Sequence, residues 1–335
     1  MKHVVFFGAD DLVYQAGKWC MGNGVACTVI TNAAQSTRSL SDGRPFSVAA
    51  EAAGMRTMVA DSLSQIEAKK MVSTPASSFC ISIGAPWIFS KAFLQSLGNT
   101  IYNLHGTRLP KERGGNLFSW QILMGVRVGT CLLHEITENI DDGPIIRYEE
   151  FIYPAHCRKP VDYVQHYQQK NTEFLVRLLS DLKSGSIQFL QTGQPEYLSS
   201  YWPRLSADLN GWIDWSWCVR EIKRFICAFD DPYPGARTKH RGRIVVLKDV
   251  YAQSADGVTH PFQAGLVYRN NGKWLNVSVP GGELLICSVT DLAGRSVLQE
   301  MKPGDRFYST PDDLNSGKTR IVKTASGLTQ QKNLE

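Results

Sequence analysis

No two cysteines in this 335-residue chain stand as C-x-x-C, and no histidine pair has zinc-site spacing. The eight cysteines (Cys20, Cys27, Cys80, Cys131, Cys157, Cys218, Cys227 and Cys287) lie mostly in apolar settings such as Phe79-Cys80-Ile81. Redox and zinc motifs are excluded, and the thiols read as buried and free in a reducing cytosol. Long apolar runs are lacking too. The run over 4–7 is too short for a signal peptide and ends at Gly8-Ala9-Asp10. Nothing approaches the roughly 20 residues of a membrane span, so no membrane association is expected and the expected location is cytoplasmic. There is no run of five or six Lys or Arg; 36 basic residues against 31 acidic ones leave a formal charge of +5. That small excess suits a compact anionic ligand or a phosphate as well as RNA, and it supplies no nucleic-acid tail. No internal repeat is present.

What remains is an ordinary globular composition, 43% hydrophobic, 20% charged and 10% aromatic. It excludes wholesale disorder, collagen and coiled coil. At about 100–200 residues per domain the length predicts two domains. Neither metal nor disulfide is needed for stability at this size. Strands are expected at 4–7, 25–31, 56–60, 77–83 and 100–105, alternating with helices at 11–21, 47–53, 62–72 and 91–97, and with a polar loop at 32–45. This alternation predicts a mostly parallel α/β sheet, to which strands at 127–135 and 145–153 and a long amphipathic helix at 160–182 are added. Past residue 200 a helix at 216–228 precedes short strands at 244–251, 265–268, 274–279 and 283–289, the texture of a small barrel. From about 309 the chain turns polar, and a loose tail is expected over 311–335.

Two stretches carry chemistry. In Ile101-Tyr102-Asn103-Leu104-His105-Gly106 the Asn and His, two apart on a strand, share a face near its C-terminal end, where open α/β sheets keep their ligand crevice. The pair either satisfies a loop backbone or serves a ligand. In Thr137-Glu138-Asn139-Ile140-Asp141-Asp142-Gly143-Pro144 carboxylates crowd a turn between two strands. They read either as a solvated acidic turn or as the source of a carboxylate that orients His105.

Taken together, the stretches resemble the folate-dependent formyltransferases. That pattern of N-x-H, then L-P-x-x-R-G, then an apolar residue with D-x-G is met here by Asn103, His105, Leu109, Pro110, Arg113, Gly114, Ile140, Asp141 and Gly143. Thr107-Arg108 replaces a more usual Ser and apolar residue. The resemblance covers most of 1–310. It implies a Rossmann-like α/β catalytic domain over 1–200 and a C-terminal OB-like β-barrel over 201–310. It implies transfer of the formyl group of N10-formyltetrahydrofolate to an amine, without metal. The implied catalytic residues are Asn103, His105 and Asp141, with Asp141 rather than Asp142 in the acid's place. Gly84, Trp87, Ile88, Phe89, Thr137 and Glu138 are implied cofactor neighbours, the first four in a loop whose backbone holds the pterin ring. Arg108, Arg113, Gly114 and Gly115 are candidate substrate contacts.

The acceptor is a narrower question. Within the resemblance, Gly114-Gly115-Asn116-Leu117 departs from the Ala-Ala-Pro signature of methionyl-tRNA formyltransferases, and the loop at 32–45 carries only Arg38 and Arg44. Trp202-Pro203-Arg204 and Ile213-Asp214-Trp215 are similar to the enzymes that formylate nucleotide-linked amino sugars, which would place the protein in lipopolysaccharide O-antigen chemistry. A nucleotide-linked amino-deoxysugar is therefore the expected substrate, nucleic acid is not expected as a partner, and methionyl-tRNA is the alternative. A homodimer is a further expectation, from the barrel's β edges and from Trp212, Trp215 and Trp217.

Overall fold

The structure is a computed structural model that describes residues 1–68, 78–254, 259–324 and 327–330. The chain divides into two compact units. The first comprises Met1–Arg113, Val128–Ile152 and Gln165–Tyr201. The second comprises Gly114–Arg127, Tyr153–Val164 and Trp202–Glu335.

The first unit is a seven-stranded sheet in the order Arg56–Val59, Ala26–Thr31, His3–Phe7, Ser78–Ser82, Ile101–His105, Val128–Glu135, Ile145–Ile152. The first five strands are parallel, and the last two join antiparallel. Alternate residues of His3–Phe7 feed two cores: Val4 and Phe6 pack with Phe46, Leu133, Phe174 and Leu178, whereas Val5 and Phe7 pack with Ile30, Phe93 and Ile101. A strand buried on both faces reads as a continuous apolar run, as this one does. Helix Asp11–Gly22 starts where the Asp10 carboxylate accepts the Val13 N–H at 2.9 Å. The expected loop at 32–45 contains a short helix, Ala33–Ser36, capped by Asn32. The expected helix at 62–72 is observed as Leu63–Ala68; residues 69–77, which include its end and the first residue of the expected strand at 77–83, lie outside the described ones.

The second unit holds a six-stranded antiparallel sheet in the order Leu266–Asn270, Leu275–Val279, Gly282–Thr290, Arg243–Ser254, Ala236–His240, Phe307–Tyr308. Its outer strands meet: Val267 N–H donates to Asp305 O at 2.8 Å and Phe307 N–H to Gly265 O at 2.9 Å. The sheet therefore curls back on itself as a barrel does. Leu247, Val267, Val277, Leu284 and Ile286 fill it. Trp215 is buried here, with Nε1 donating to Thr238 Oγ1 at 2.9 Å, and Trp217 stands edge-on to Phe225. These rings pack within the unit.

The loose tail expected from 311 is not observed over 311–324. Thr310 and Asp313 cap a helix, Pro311–Gly317, through reciprocal bonds. Asn210 Nδ2 donates to the carbonyls of Gly317 (2.8 Å) and Thr319 (3.3 Å), and Ile321 is buried. Polar composition concealed a segment held by caps and backbone bonds. All eight cysteines are free and six are buried. Among the described residues no helix is long and apolar enough to cross a membrane.

Candidate active site

The site is built in the first unit. Ile101–His105 pairs antiparallel with Val128–Glu135 so that Asn103 lies opposite His134. Register therefore sets two polar side chains against each other in otherwise apolar strands. Asn103 Nδ2 is 3.2 Å from His134 Nε2, and His134 Nδ1 is 2.8 Å from the Glu135 carbonyl. A carbonyl only accepts, so Nδ1 carries a ring hydrogen towards it, and the Asn103 amide faces Nε2. His134 was not anticipated from the sequence. Its signal was a buried polar residue ending an apolar strand.

The acidic turn brings Asp141 to the same place. Asp141 Oδ1 stands 3.6 Å from His105 Nδ1 and 3.6 Å from His134 Nε2. These are ion-pair rather than hydrogen-bond distances. Asp141 has φ 53°, in the left-handed region that Asp and Asn enter more readily than most residues. Asp142 faces the other way chemically: it accepts from Thr137 Oγ1 and, at 2.7 Å, from Asn139 Nδ2, closing the turn on itself. Gly143 follows because a Cβ there would lie 2.0 Å from the Glu135 carbonyl oxygen.

Electrostatics oppose one another here. Burial lowers the pKa of His105; Asp141 pulls it upward, and His134 lowers it further. His105 Nε2 is buried and makes no hydrogen bond. For Asp141, burial alone would raise the carboxyl pKa, but His134, His105 and Arg113 outweigh it and hold the pKa below its usual value. His105, His134 and Asp141 also bring one potential metal-ligand atom each within 4.8 Å of one another. Asn103 and the His–Asp pairing already engage those atoms.

The other expected residues fall out differently. Phe89 is a core residue, edge-on to Phe7 at 5.4 Å, so its side chain is not offered to a cofactor. Trp87 is partly buried against the same core. Ile88 is 74% exposed, and Gly84 takes φ 59° with its carbonyl accepting from Gln35 Nε2 at 2.8 Å. Glu138 pairs with Lys91 at 3.0 Å, which ties the loop after Gly84 to the acidic turn; Thr137 braces that turn. Arg108 is bound through Nε (2.8 Å) and Nη2 to the buried Glu112 carboxylate. The pairing supplies a counter-charge to that carboxylate, while the Arg108 side chain stays partly exposed. Arg113 pairs with Glu196 at 2.8 Å. Gly114 and Gly115 belong to the second unit, where a Cβ on Gly114 would lie 2.1 Å from the Trp202 carbonyl oxygen and one on Gly115 2.8 Å from Arg204 Cγ.

Comparison with known proteins agrees with this architecture. The formyl transferase family pattern matches residues 3–179, and the pattern of the formyl transferase C-terminal domain matches 207–300. A methionyl-tRNA formyltransferase of Pseudothermotoga lettingae is 26% identical over 217 residues, which span 64% of this chain and 68% of that protein. Two solved structures are similar at 16% identity. The N-formyltransferase from Helicobacter canadensis, in complex with folinic acid and dTDP-3-aminofucose, has a TM-score of 0.66 over 87% of this chain and 100% of its own. WlaRD, a sugar 3N-formyl transferase solved in the presence of dTDP and 5-N-formyl-THF, has a TM-score of 0.64 over 86% and 97%. At that identity the likeness speaks to fold; the family patterns, which between them take in most of the sequence, establish that this chain belongs to the formyl transferase family.

Proposed function

We propose that this protein transfers the formyl group of N10-formyltetrahydrofolate to the amine of a nucleotide-linked amino-deoxysugar, with Asn103, His105 and Asp141 as its reacting centre. The observation that carries the proposal is Asp141 Oδ1 standing 3.6 Å from two imidazoles, one of which orients Asn103. The donor supplies an activated formyl carbon. One Asn103 amide hydrogen is engaged by His134, which leaves the second for the carbonyl oxygen on which charge develops. Such a donor contributes about 10²–10³ in rate. His105 accepts the amine proton as the new C–N bond forms and returns it to N10 as the formyl carbon–N10 bond breaks and tetrahydrofolate leaves. Burial keeps the ring neutral and ready to accept, and Asp141 stabilises the imidazolium once formed.

Ile88 and Ile140, in the segments flanking Lys91 and Glu138, expose apolar side chains that suit contact with the donor's ring. The acceptor reading is supported by the two sugar formyltransferases, matched over nearly their whole length and one of them holding dTDP-3-aminofucose. The segment at 32–45 agrees: Arg44 is tied to Asp42 and Tyr14, which leaves Arg38 there without a carboxylate partner among the described residues. A tRNA surface favours clustered cations. The second reading, formylation of methionyl-tRNA, is favoured by the relative from Pseudothermotoga lettingae. Mass spectrometry of products from formyltetrahydrofolate and dTDP-, UDP- and GDP-linked amino sugars tests the proposal. Formylated sugar nucleotide made by the wild type and not by His105→Ala supports it; no formylated sugar with any nucleotide defeats it.

A further inference from the structure

The segment 190–200 is exposed over most of its length, yet it is stitched to both halves of the candidate site. At one end Leu190 N–H donates to Ile146 O (2.9 Å), and Thr192 exchanges backbone bonds with Ile145 (2.8 and 2.9 Å) directly after the acidic turn. At the other, Ser200 N–H donates to Pro110 O (3.2 Å), Ser200 Oγ to Lys111 O, and Arg113 N–H to Ser200 O (3.0 Å). Between these anchors stands Gln194, whose amide does two things at once. Its Nε2 donates to the Gly143 carbonyl at 2.7 Å, and its Oε1 accepts from Arg113 Nη2 at 3.4 Å. Glu196, two residues on, takes Arg113 Nη1 at 2.8 Å.

Gly143 is two residues from Asp141, and the turn between them is tightly constrained by Asp141's left-handed backbone and by Gly143's approach to Glu135. A pull on the Gly143 carbonyl is therefore transmitted to the Asp141 carboxylate. Arg113 is the cation on the other side. Its guanidinium is held by Gln194 and Glu196, and its backbone by Ser200. A single amide thus links the carboxylate turn to the arginine.

We propose that Gln194 is a positioning residue for formyl transfer: by bridging Gly143 and Arg113 it fixes Asp141 against His105 and His134. The proposal rests on the reading of Asn103, His105 and Asp141 as the reacting centre, and does not depend on the acceptor. Backbone bonds at Thr192 and Ser200 hold the segment without the Gln194 side chain, so its removal loosens the turn while the strap stays in place. Asp141 raises the affinity of His105 for its proton, so a carboxylate that drifts away lets that affinity fall.

The test uses the full chain and two variants. Gln194→Leu removes both bonds at similar volume. Gln194→Glu keeps an acceptor for Arg113 but sets a carboxylate oxygen against the Gly143 carbonyl. NMR titration of the His105 imidazole, which needs no acceptor, is expected to move downward in both variants while the thermal midpoint changes little. Once an accepted amine is in hand, kcat is expected to fall about tenfold to a hundredfold with KM little changed, the scale of a misplaced catalytic group. An unmoved His105 titration in a folded Gln194→Leu protein would overturn the proposal even if formyl transfer were normal. A Gln194→Glu protein matching the wild type would overturn the bridge to Gly143. Loss of transfer in His105→Ala together with an unmoved titration in Gln194→Leu would reject the positioning role and leave the reacting centre intact.

Discussion

His105 cannot be assigned a charge state apart from its neighbours. Burial depresses its pKa and Asp141 raises it, while His134 and Arg113 help keep Asp141 ionised. Residues coupled in this way act as a unit, so Asn103→Ala, His105→Ala and Asp141→Asn are each expected to lower kcat by about 10²-fold or more, with double variants little worse than singles. Asp142→Asn, which disturbs only the bonds to Thr137 and Asn139, is expected to lose less than Asp141→Asn; single-turnover rates of the pair decide the register. The acid limb of kcat/KM is expected below the ordinary histidine value of 6.5. In Asp141→Asn that limb shifts lower still, because a group that raised the pKa is gone. Stability carries the same sign. A ring whose folded pKa lies below 6.5 contributes stability fully present above 6.5 and lost as pH falls through the folded value, and Asp141 does the same below its ordinary 3.8. Acid unfolding of wild type against His105→Ala reads that difference.

Elements were legible where one periodicity dominated. The apolar runs of the parallel strands, the alternating faces of Pro160–Ser184 and the Gly-punctuated strands of the barrel all announce themselves. Helix Leu117–Met124 did not, because it is apolar nearly all round; in the second unit Ser119 Oγ donates to Ala228 O at 2.8 Å and Trp120 Nε1 to Pro203 O at 2.8 Å. Strand Ala236–His240 was missed because its buried side includes Thr238 and His240, which find Trp215 and Asp305 only in the folded barrel. His134 escaped for the same reason: its partner Asn103 is 31 residues away and meets it only through strand register. Asn103, His105 and Asp141 stood out only through the resemblance to the formyltransferase pattern; the fold sets Asp141 Oδ1 3.6 Å from His105 Nδ1. Two element-scale outcomes follow. Thr310→Ala removes a cap and is expected to cost about 1 kcal/mol, measured by urea unfolding. Gly143→Ala forces a Cβ onto the Glu135 carbonyl and is expected both to cut turnover and to lower the melting temperature.

At the scale of the whole chain, a formyltransferase pattern over 3–179 is followed by that family's C-terminal domain over 207–300. This pairing is compatible with a sugar or a tRNA acceptor, and the two differ most in how many phosphates the protein must hold. A sugar nucleotide presents a diphosphate, and its binding changes modestly with salt. A tRNA complex with six to ten phosphate contacts loses about 10³–10⁵ in affinity between roughly 50 and 200 mM salt. The most direct measurement is therefore formyl transfer from formyltetrahydrofolate to a panel of nucleotide-linked amino sugars and to methionyl-tRNA, side by side across that salt range. The expected result is turnover of at least one sugar nucleotide with a shallow salt dependence and none of methionyl-tRNA. Formylation of methionyl-tRNA with a steep salt dependence, and of no sugar nucleotide, would contradict it.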